Sequence, residues 1–323
     1  MKDQYNRPIE YMRISITDRC NMRCMYCMPK GVIKQTHEEI LTYEDILQLC
    51  KVAVTLGITK YKVTGGEPLV RKGCLDFIRK LKELDGVEQV TLTTNGVLLE
   101  EYIEELKACS IDGINISIDS LDEDMYRRVT GCEEGSVKEI LEVLKRGCNL
   151  GIPMKINSVL LKETKEEIYR LAEIAEKYPV DIRYIELMPI GEGAHLKGLE
   201  MEMALKLLKE KYSDLNPTKE RRGNGPAHYY TSKQLKGKIG FIDAISHRFC
   251  DECNRVRLTS LGILKPCLCY EKGMDFKALL REGAPFEKIK QEMEKCIYRK
   301  PRAHSFLDKS QVTEYKSMNE IGG

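Results

Sequence analysis

Tyr11-Met12-Arg13-Ile14-Ser15-Ile16-Thr17-Asp18-Arg19-Cys20-Asn21-Met22-Arg23-Cys24-Met25-Tyr26-Cys27 joins two signals in one stretch. From Met12 to Thr17 apolar and polar side chains alternate, which predicts a strand. Directly after it, Cys20, Cys24 and Cys27 stand at C-x3-C-x2-C spacing. Three soft ligands on one tight loop can hold three irons of a [4Fe-4S] cube and leave the fourth iron open. The plainer readings are ordinary cysteines or a zinc knuckle. Zinc wants a fourth protein ligand, and none lies between Cys27 and His37. A c-type haem signature fails because Met28 follows Cys27 where histidine is required.

Outward from this stretch a rhythm repeats. β-rich apolar runs recur at about 11–17, 59–64, 88–94, 112–118, 153–160 and 181–187. Amphipathic helical patterns lie between them, including Tyr43 to Leu56, Lys72 to Leu84, Ser136 to Leu150 and Lys165 to Lys177. Six βα units predict a parallel sheet with helices on its outer face. Parity along the strands separates two faces. One carries Ile14, Ile16, Tyr61, Val63, Ile114, Ile116 and Ile118; the other carries Arg13, Ser15, Thr17, Lys60, Lys62, Thr64, Thr91, Thr93, Asn95, Asn115, Ser117, Asp119, Lys155 and Asn157. A closed eight-stranded barrel fills its interior with branched apolar residues, so the polar parity predicts a partial, open TIM-type (βα)6 barrel with a hydrophilic lumen. Half-exposed strands with the polar parity toward water are the alternative, and six helix-covered strands leave little room for it.

With 42% hydrophobic and 32% charged residues, the 323-residue chain reads as globular. Its first residues lack the apolar run of a signal peptide, and the expectation is a cytoplasmic protein with no membrane partner. A net charge of +2 gives no global case for nucleic acid. Thirteen cysteines without a secretory signal suit metal chemistry in a reducing compartment. Cys50, Cys74, Cys109, Cys132, Cys148 and Cys296, scattered singly, are expected to be small packed side chains.

Thr64-Gly65-Gly66-Glu67-Pro68 closes the second strand at the carboxyl edge, where parallel sheets bind ligands. The glycines would let backbone approach a ligand, and Glu67 would accept from an amino group. Together with the three-cysteine loop, this motif resembles the radical S-adenosylmethionine superfamily. The resemblance implies that the open iron takes the amino and carboxylate groups of S-adenosylmethionine, whose cleavage gives a 5′-deoxyadenosyl radical.

After Asn216 the rhythm breaks, Arg221-Arg222-Gly223-Asn224-Gly225-Pro226 reads as a loop, and short strand-like pieces surround Tyr229 and Ile239. The expected organisation is therefore a barrel over 1–215 and an iron-sulfur-binding extension over 216–323. In the extension, Cys250, Cys253 and Cys267 form C-x2-C-x13-C. Spacing alone leaves zinc, with His247 or Cys269 as fourth ligand, and iron-sulfur both open. Arg255 and Arg257, at i and i+2 beside this group, share one face and suit an anionic ligand.

With the second group the resemblance narrows to the GTP 3′,8-cyclase family, which begins molybdenum-cofactor biosynthesis. It is carried in order by Arg13, the two cysteine motifs, Thr64 to Pro68, Leu92-Thr93-Thr94-Asn95-Gly96, Asn115-Ile116-Ser117-Ile118-Asp119, Arg183-Tyr184-Ile185-Glu186-Leu187-Met188 and Gly322-Gly323. It implies two [4Fe-4S] clusters, one on Cys20, Cys24 and Cys27 and one on Cys250, Cys253 and Cys267. It implies S-adenosylmethionine contacts at Tyr26, Gly66, Glu67, Ser117 and Met188. GTP contacts are implied at Arg13, Lys62, Thr93, Lys155, Arg255, Val256 and Arg257, and catalytic roles at Arg183, Arg255, Arg257, Gly322 and Gly323. An external electron donor and a homodimer are implied as well. Two departures stand out: Lys62 occupies a position where relatives commonly carry arginine, and Cys269 adds a thiol beside Cys267. The rival expectations are a radical peptide-modifying enzyme and a non-catalytic iron-sulfur or zinc module.

Overall fold

The computed structural model describes the chain apart from residues 29–34, His37, Gly323 and the side chain of Lys309. The residues group into two compact units.

The first unit comprises Met1–Asn21, Cys27–Leu92 and Cys250–Gly323. It begins with β1 (Tyr11–Ser15), α1 (Tyr43–Thr55), β2 (Lys60–Thr64), α2 (Cys74–Lys82) and β3 (Gln89–Thr94), the last belonging here through Leu92. Thr42 and Asp45 close a reciprocal capping box at the start of α1, and the helix buries Ile46, Leu49, Cys50, Val52 and Ala53.

The second unit, Met22–Tyr26 with Thr93–Phe249, holds α3 (Leu99–Ala108), β4 (Ile114–Ser117), α4 (Glu123–Thr130), α5 (Val137–Asn149), β5 (Met154–Leu160), α6 (Glu167–Lys177), β6 (Asp181–Glu186), α7 (Met201–Lys211), β7 (Asn216–Thr218), β8 (His228–Thr231) and β9 (Ile239–Ile242). Its strands run in the order β4-β5-β6-β9-β8-β7. β4, β5, β6 and β9 are parallel, and β8 and β7 continue antiparallel.

The chain then returns to the first unit with β10 (Arg255–Leu258), β11 (Ile263–Lys265), β12 (Met274–Asp275), α8 (Phe276–Arg281), α9 (Phe286–Tyr298) and α10 (Met318–Ile321). Strand order there is β12-β11-β10-β1-β2-β3, so β1 lies in parallel between β10 and β2.

The apolar parity is buried as expected: Ile14, Ile16, Tyr61, Val63, Ile114, Ile116 and Ile118 are all inaccessible to solvent. Cys50, Cys74, Cys109 and Cys132 are buried, whereas Cys148 and Cys296 are half-buried. Among the described residues no helix is long and apolar enough to cross a membrane.

Candidate active site

The segment before Cys20 is fixed by the end of β2. Gly66 N–H donates to Thr17 O at 2.8 Å and Glu67 N–H to Arg19 O at 2.8 Å, prolonging the ladder past β1. A Cβ on Gly66 would lie 2.4 Å from Arg19 O and 2.7 Å from Asp18 O. Glycine is required here because backbone meets backbone. Glu67 is fully buried, and its Oε1 accepts Leu69 N–H at 3.0 Å, starting a 3-10 turn over Pro68–Val70. Cys20, Cys24 and Cys27 are each half-exposed.

Within the second unit the Met22–Tyr26 piece is pinned to the end of α4. Arg23 N–H donates to Thr130 O at 2.8 Å and Met25 N–H to Val129 O at 2.9 Å. Gly131 ends α4 in the left-handed region (φ +58°), where a Cβ would stand 3.1 Å from Arg23 O. Tyr26 donates its hydroxyl to Asp119 Oδ2 at 2.7 Å, and Val159 N–H reaches Asp119 Oδ1 at 2.7 Å. Burial raises the Asp119 carboxyl to about 6, opposed by these two hydrogen bonds. Asp119 was visible on the polar parity, but only the structure shows that it orients Tyr26. Ser117 ends β4 half-buried, and Met188 follows β6, its carbonyl 2.5 Å from where a Cβ on Gly193 would fall.

On the first unit's sheet the expected cations come into register. Arg13 pairs with Lys62 on one side and Arg257 on the other; Lys62 pairs with Thr91, and Arg257 with Lys265. Register partners share a face, so four cations form one row across four strands. Arg257 is buried, and desolvation, then the charges of Arg13 and Arg255, push its guanidinium well below its usual range. Its Nη1 donates to Gly322 O at 2.6 Å. Gly322 is itself buried in the left-handed region (φ +77°), with a Cβ position 3.1 Å from Ser15 Cβ. The tail therefore lies on the polar face of β1. Gly323 lies outside the described residues. Val256 points its side chain to the opposite, buried face, which leaves only its backbone for a ligand. Lys265, absent from the sequence-based set, forms a buried ion pair with Glu314.

The second unit carries its own polar row. Asn115 pairs with Lys155 and Lys155 with Asp181; one step on, Ser117 pairs with Asn157 and Asn157 with Arg183. Lys155 Nζ stands 3.3 Å from Asp181 Oδ2 and donates to Arg222 O at 2.6 Å. Burial, then Arg183, lowers the ammonium to about 8 against the pull of Asp181. Arg222 grips Asp181 with Nε at 3.2 Å and Nη2 at 3.0 Å, tying the Arg221–Pro226 loop over Lys155. Arg183 Nη2 donates to Asn115 Oδ1, and Asn115 Nδ2 reaches Thr93 Oγ1 at 3.4 Å. Arg183 Nε and Asn157 Oδ1 are buried without a hydrogen-bond partner among the described residues, which suits a polar ligand. Asp181 and Arg222 were not singled out from sequence; only the register brings them to Lys155.

The second cysteine group is assembled from separated segments of the first unit. Cys250 opens a 3-10 turn (Cys250–Glu252) before β10, Cys253 follows that turn, Cys267 follows β11, and residues 300–305 pack against them. His304 N–H points at Cys250 Sγ (3.5 Å) and Ser305 N–H at Cys269 Sγ (3.3 Å). Burial acts to raise the Cys253 thiol, but Arg255 and Lys300 outweigh it and bring it down to about 6. Burial instead pushes Cys269 up to about 11. Cys269 is fully buried, whereas Cys267 is half-exposed.

Among the described residues no three His, Cys, Asp or Glu side chains stand close enough to share a single metal ion. A cube takes each thiolate on a different iron, so its ligands do not converge on one point. The donor chemistry fits such a group in the second set: Cys253 and Cys267 both influence the ionisation of Cys250, and cations face them.

A sequence profile described as Radical SAM superfamily matches residues 14–175, and one described as Molybdenum Cofactor Synthesis C matches residues 180–306. The chain is 40% identical to a GTP 3′,8-cyclase of Clostridium perfringens (strain SM101 / Type A) and 42% identical to one of Alkaliphilus oremlandii, covering 100% of both chains in each comparison. A Thermodesulfovibrio yellowstonii GTP 3′,8-cyclase is 40% identical, again over 100% of both chains. In fold the chain is similar to Streptococcus suis SuiB bound to S-adenosylmethionine (TM-score 0.68, 13% identity, 97% of this chain and 78% of that one). The same protein bound to its precursor peptide SuiA gives a TM-score of 0.67 at 13% identity, over 97% of this chain and 76% of that one.

Proposed function

The chain belongs to the GTP 3′,8-cyclase family of the radical S-adenosylmethionine superfamily, whose fold is a partial (βα)6 barrel, and we propose how its own residues serve that reaction. It is an S-adenosylmethionine-dependent enzyme that converts GTP to 3′,8-cyclo-7,8-dihydro-GTP, the first step of molybdenum-cofactor biosynthesis. When bound, the [4Fe-4S] group on Cys20, Cys24 and Cys27, with S-adenosylmethionine, supplies the radical that removes the C3′ hydrogen of GTP. C3′ then bonds to C8, and one electron and one proton complete the product.

The protein's task is to hold reacting atoms in place, because proximity and orientation lower such a barrier more than any contact made after reaction. Arg13, Lys62 and Arg257 in one row, with Arg255 beside them, serve the anionic substrate in the first unit. The Gly322 carbonyl fixes the direction of the Arg257 guanidinium, and Val256 contributes backbone only. In the second unit the GTP contacts are assigned to Thr93, Lys155 and Arg183. An anionic ligand favours the ammonium form of Lys155 and competes with Asp181 for it. Tyr26, set by Asp119, together with Gly66, Ser117 and Met188, serves S-adenosylmethionine, while Glu67 shapes the turn after Gly66. Cys250, Cys253 and Cys267 hold the second cluster. The proposal includes an external one-electron donor, a homodimer and a cytoplasmic location, all supported by family membership.

The observation that carries this reading is end-to-end identity of about 40% with named cyclases. Anaerobic turnover of the iron-reconstituted protein with GTP, S-adenosylmethionine and reductant is expected to give 5′-deoxyadenosine and the cyclised nucleotide in equal amounts. 5′-Deoxyadenosine without cyclised nucleotide would overturn it.

A further inference from the structure

Besides Arg257, three cations among the described residues are buried close to the second cysteine group. Arg7 (5% exposed) pairs with Asp3 Oδ2 at 2.6 Å and donates to the carbonyls of Cys250, Pro301 and Arg302 at 2.7, 2.6 and 2.8 Å. Lys265 pairs with Glu314. Lys300 differs. It follows α9, is 3% exposed, and its ammonium donates to two neutral carbonyls, Arg255 O at 2.9 Å and Pro266 O. No carboxylate pairs with it among the described residues.

A buried charge is costly without a counter-charge. Carbonyl dipoles solvate an ammonium but leave its charge uncompensated. Its carbonyl partners place it beside the proposed ligands: Arg255 lies two residues after Cys253, and Pro266 directly precedes Cys267. One side chain thus ties together the two separated segments that must present thiolates to one cluster.

We propose that Lys300 is the positioning residue and built-in counter-cation of the second cluster, clamping the Cys253 and Cys267 segments and making that cluster easier to reduce. The inference rests on the reading of Cys250, Cys253 and Cys267 as cluster ligands. Adding an electron to an anionic cluster is favoured by a fixed positive charge nearby, so removing that charge lowers the reduction potential. Because the charge is already in place before reduction, no reorganisation is required.

The test uses full-length, anaerobically reconstituted protein and the variants Lys300→Gln and Lys300→Arg, read by iron content and by a redox titration followed by electron paramagnetic resonance. The parent is expected to carry about eight irons per chain, as two cubes require. At a fixed applied potential, Lys300→Gln is expected to cut the reduced-to-oxidised ratio of the second cluster about tenfold, a shift of about 59 mV for one electron. Lys300→Arg keeps the charge and is expected to titrate like the parent. Should Lys300→Gln lose the second cluster's irons while Lys300→Arg retains them, the clamp is supported through charge. An unchanged potential in fully loaded Lys300→Gln, or equal iron loss in both variants, overturns the inference. A parent with only four irons overturns instead the cluster reading on which it rests.

Discussion

The two cysteine groups are built in opposite ways. Cys20, Cys24 and Cys27 sit within eight consecutive residues, and backbone bonds hold their segment: Gly66 and Glu67 to Thr17 and Arg19 before it, Thr130 and Val129 to Arg23 and Met25 within it. Cys250, Cys253 and Cys267 come from two segments locked by long buried side chains, Arg7 and Lys300, whose partners are distant in sequence. A contiguous loop can be positioned by backbone hydrogen bonds to its neighbours, whose N–H and C=O groups carry no net charge. A group assembled from distant segments needs side chains that span them, and here those side chains are cations. The first group is thus fixed by local geometry, the second by charge.

Substitutions can break this contrast. The largest effect is expected for Cys24→Ala, which removes one of three thiolates and should reduce 5′-deoxyadenosine formation to background in a chromatographic assay. Arg257→Ala leaves the Gly322 carbonyl without its donor and takes a charge from the middle of the cation row. It should lower kcat/KM for GTP about 10²-fold, as loss of one oriented charged donor does. Arg257→Lys should recover only part of this, because a point charge cannot hold both the carbonyl and a phosphate. For the first group, Asp119→Ala breaks the Tyr26 hydrogen bond and strands Val159 N–H. A stability loss of about 1–3 kcal/mol is expected for such an uncompensated group, read by thermal unfolding, together with weaker S-adenosylmethionine binding and an unchanged KM for GTP.

A smaller effect concerns pH. The Lys155 ammonium titrates at about 8, below the ordinary 10.5. Between these values the unfolded chain binds more protons than the folded one, so this residue's contribution to stability rises with pH across the window. GTP favours the protonated form, so binding near pH 8 should take up a proton. Calorimetry in buffers of different ionisation enthalpy measures that uptake, and Lys155→Met should abolish it.

Much of this could be read from the chain. The six strands lie where the β-rich runs put them, from Tyr11–Ser15 to Asp181–Glu186, and the first five are largely apolar on one parity and polar on the other, whereas β6 breaks the alternation at Ile185 and Glu186. The cation row was legible for the same reason, since Arg13 and Lys62 share the parity that does not pack under helices. What parity cannot give is register. Asp181 faces Lys155, and Lys265 faces Arg257, only because of how neighbouring strands align. The short helices α4 and α10 and the strands β10 to β12 were also not individually legible. They hold few residues each, and tertiary pairing fixes them rather than periodicity. Lys300 and Arg7 looked like ordinary charges, because their burial depends on carbonyls as far as 295 residues away. The fold likeness to SuiB, at 13% identity, does not choose between a peptide and a nucleotide as substrate; that distinction lies in the side chains.

The division of labour between the two groups is tested most directly by Cys253→Ala, with 5′-deoxyadenosine and cyclised nucleotide quantified separately after anaerobic turnover with GTP. The account predicts that 5′-deoxyadenosine still forms while the cyclised nucleotide falls to background. Cyclised nucleotide at the parent's level would contradict it.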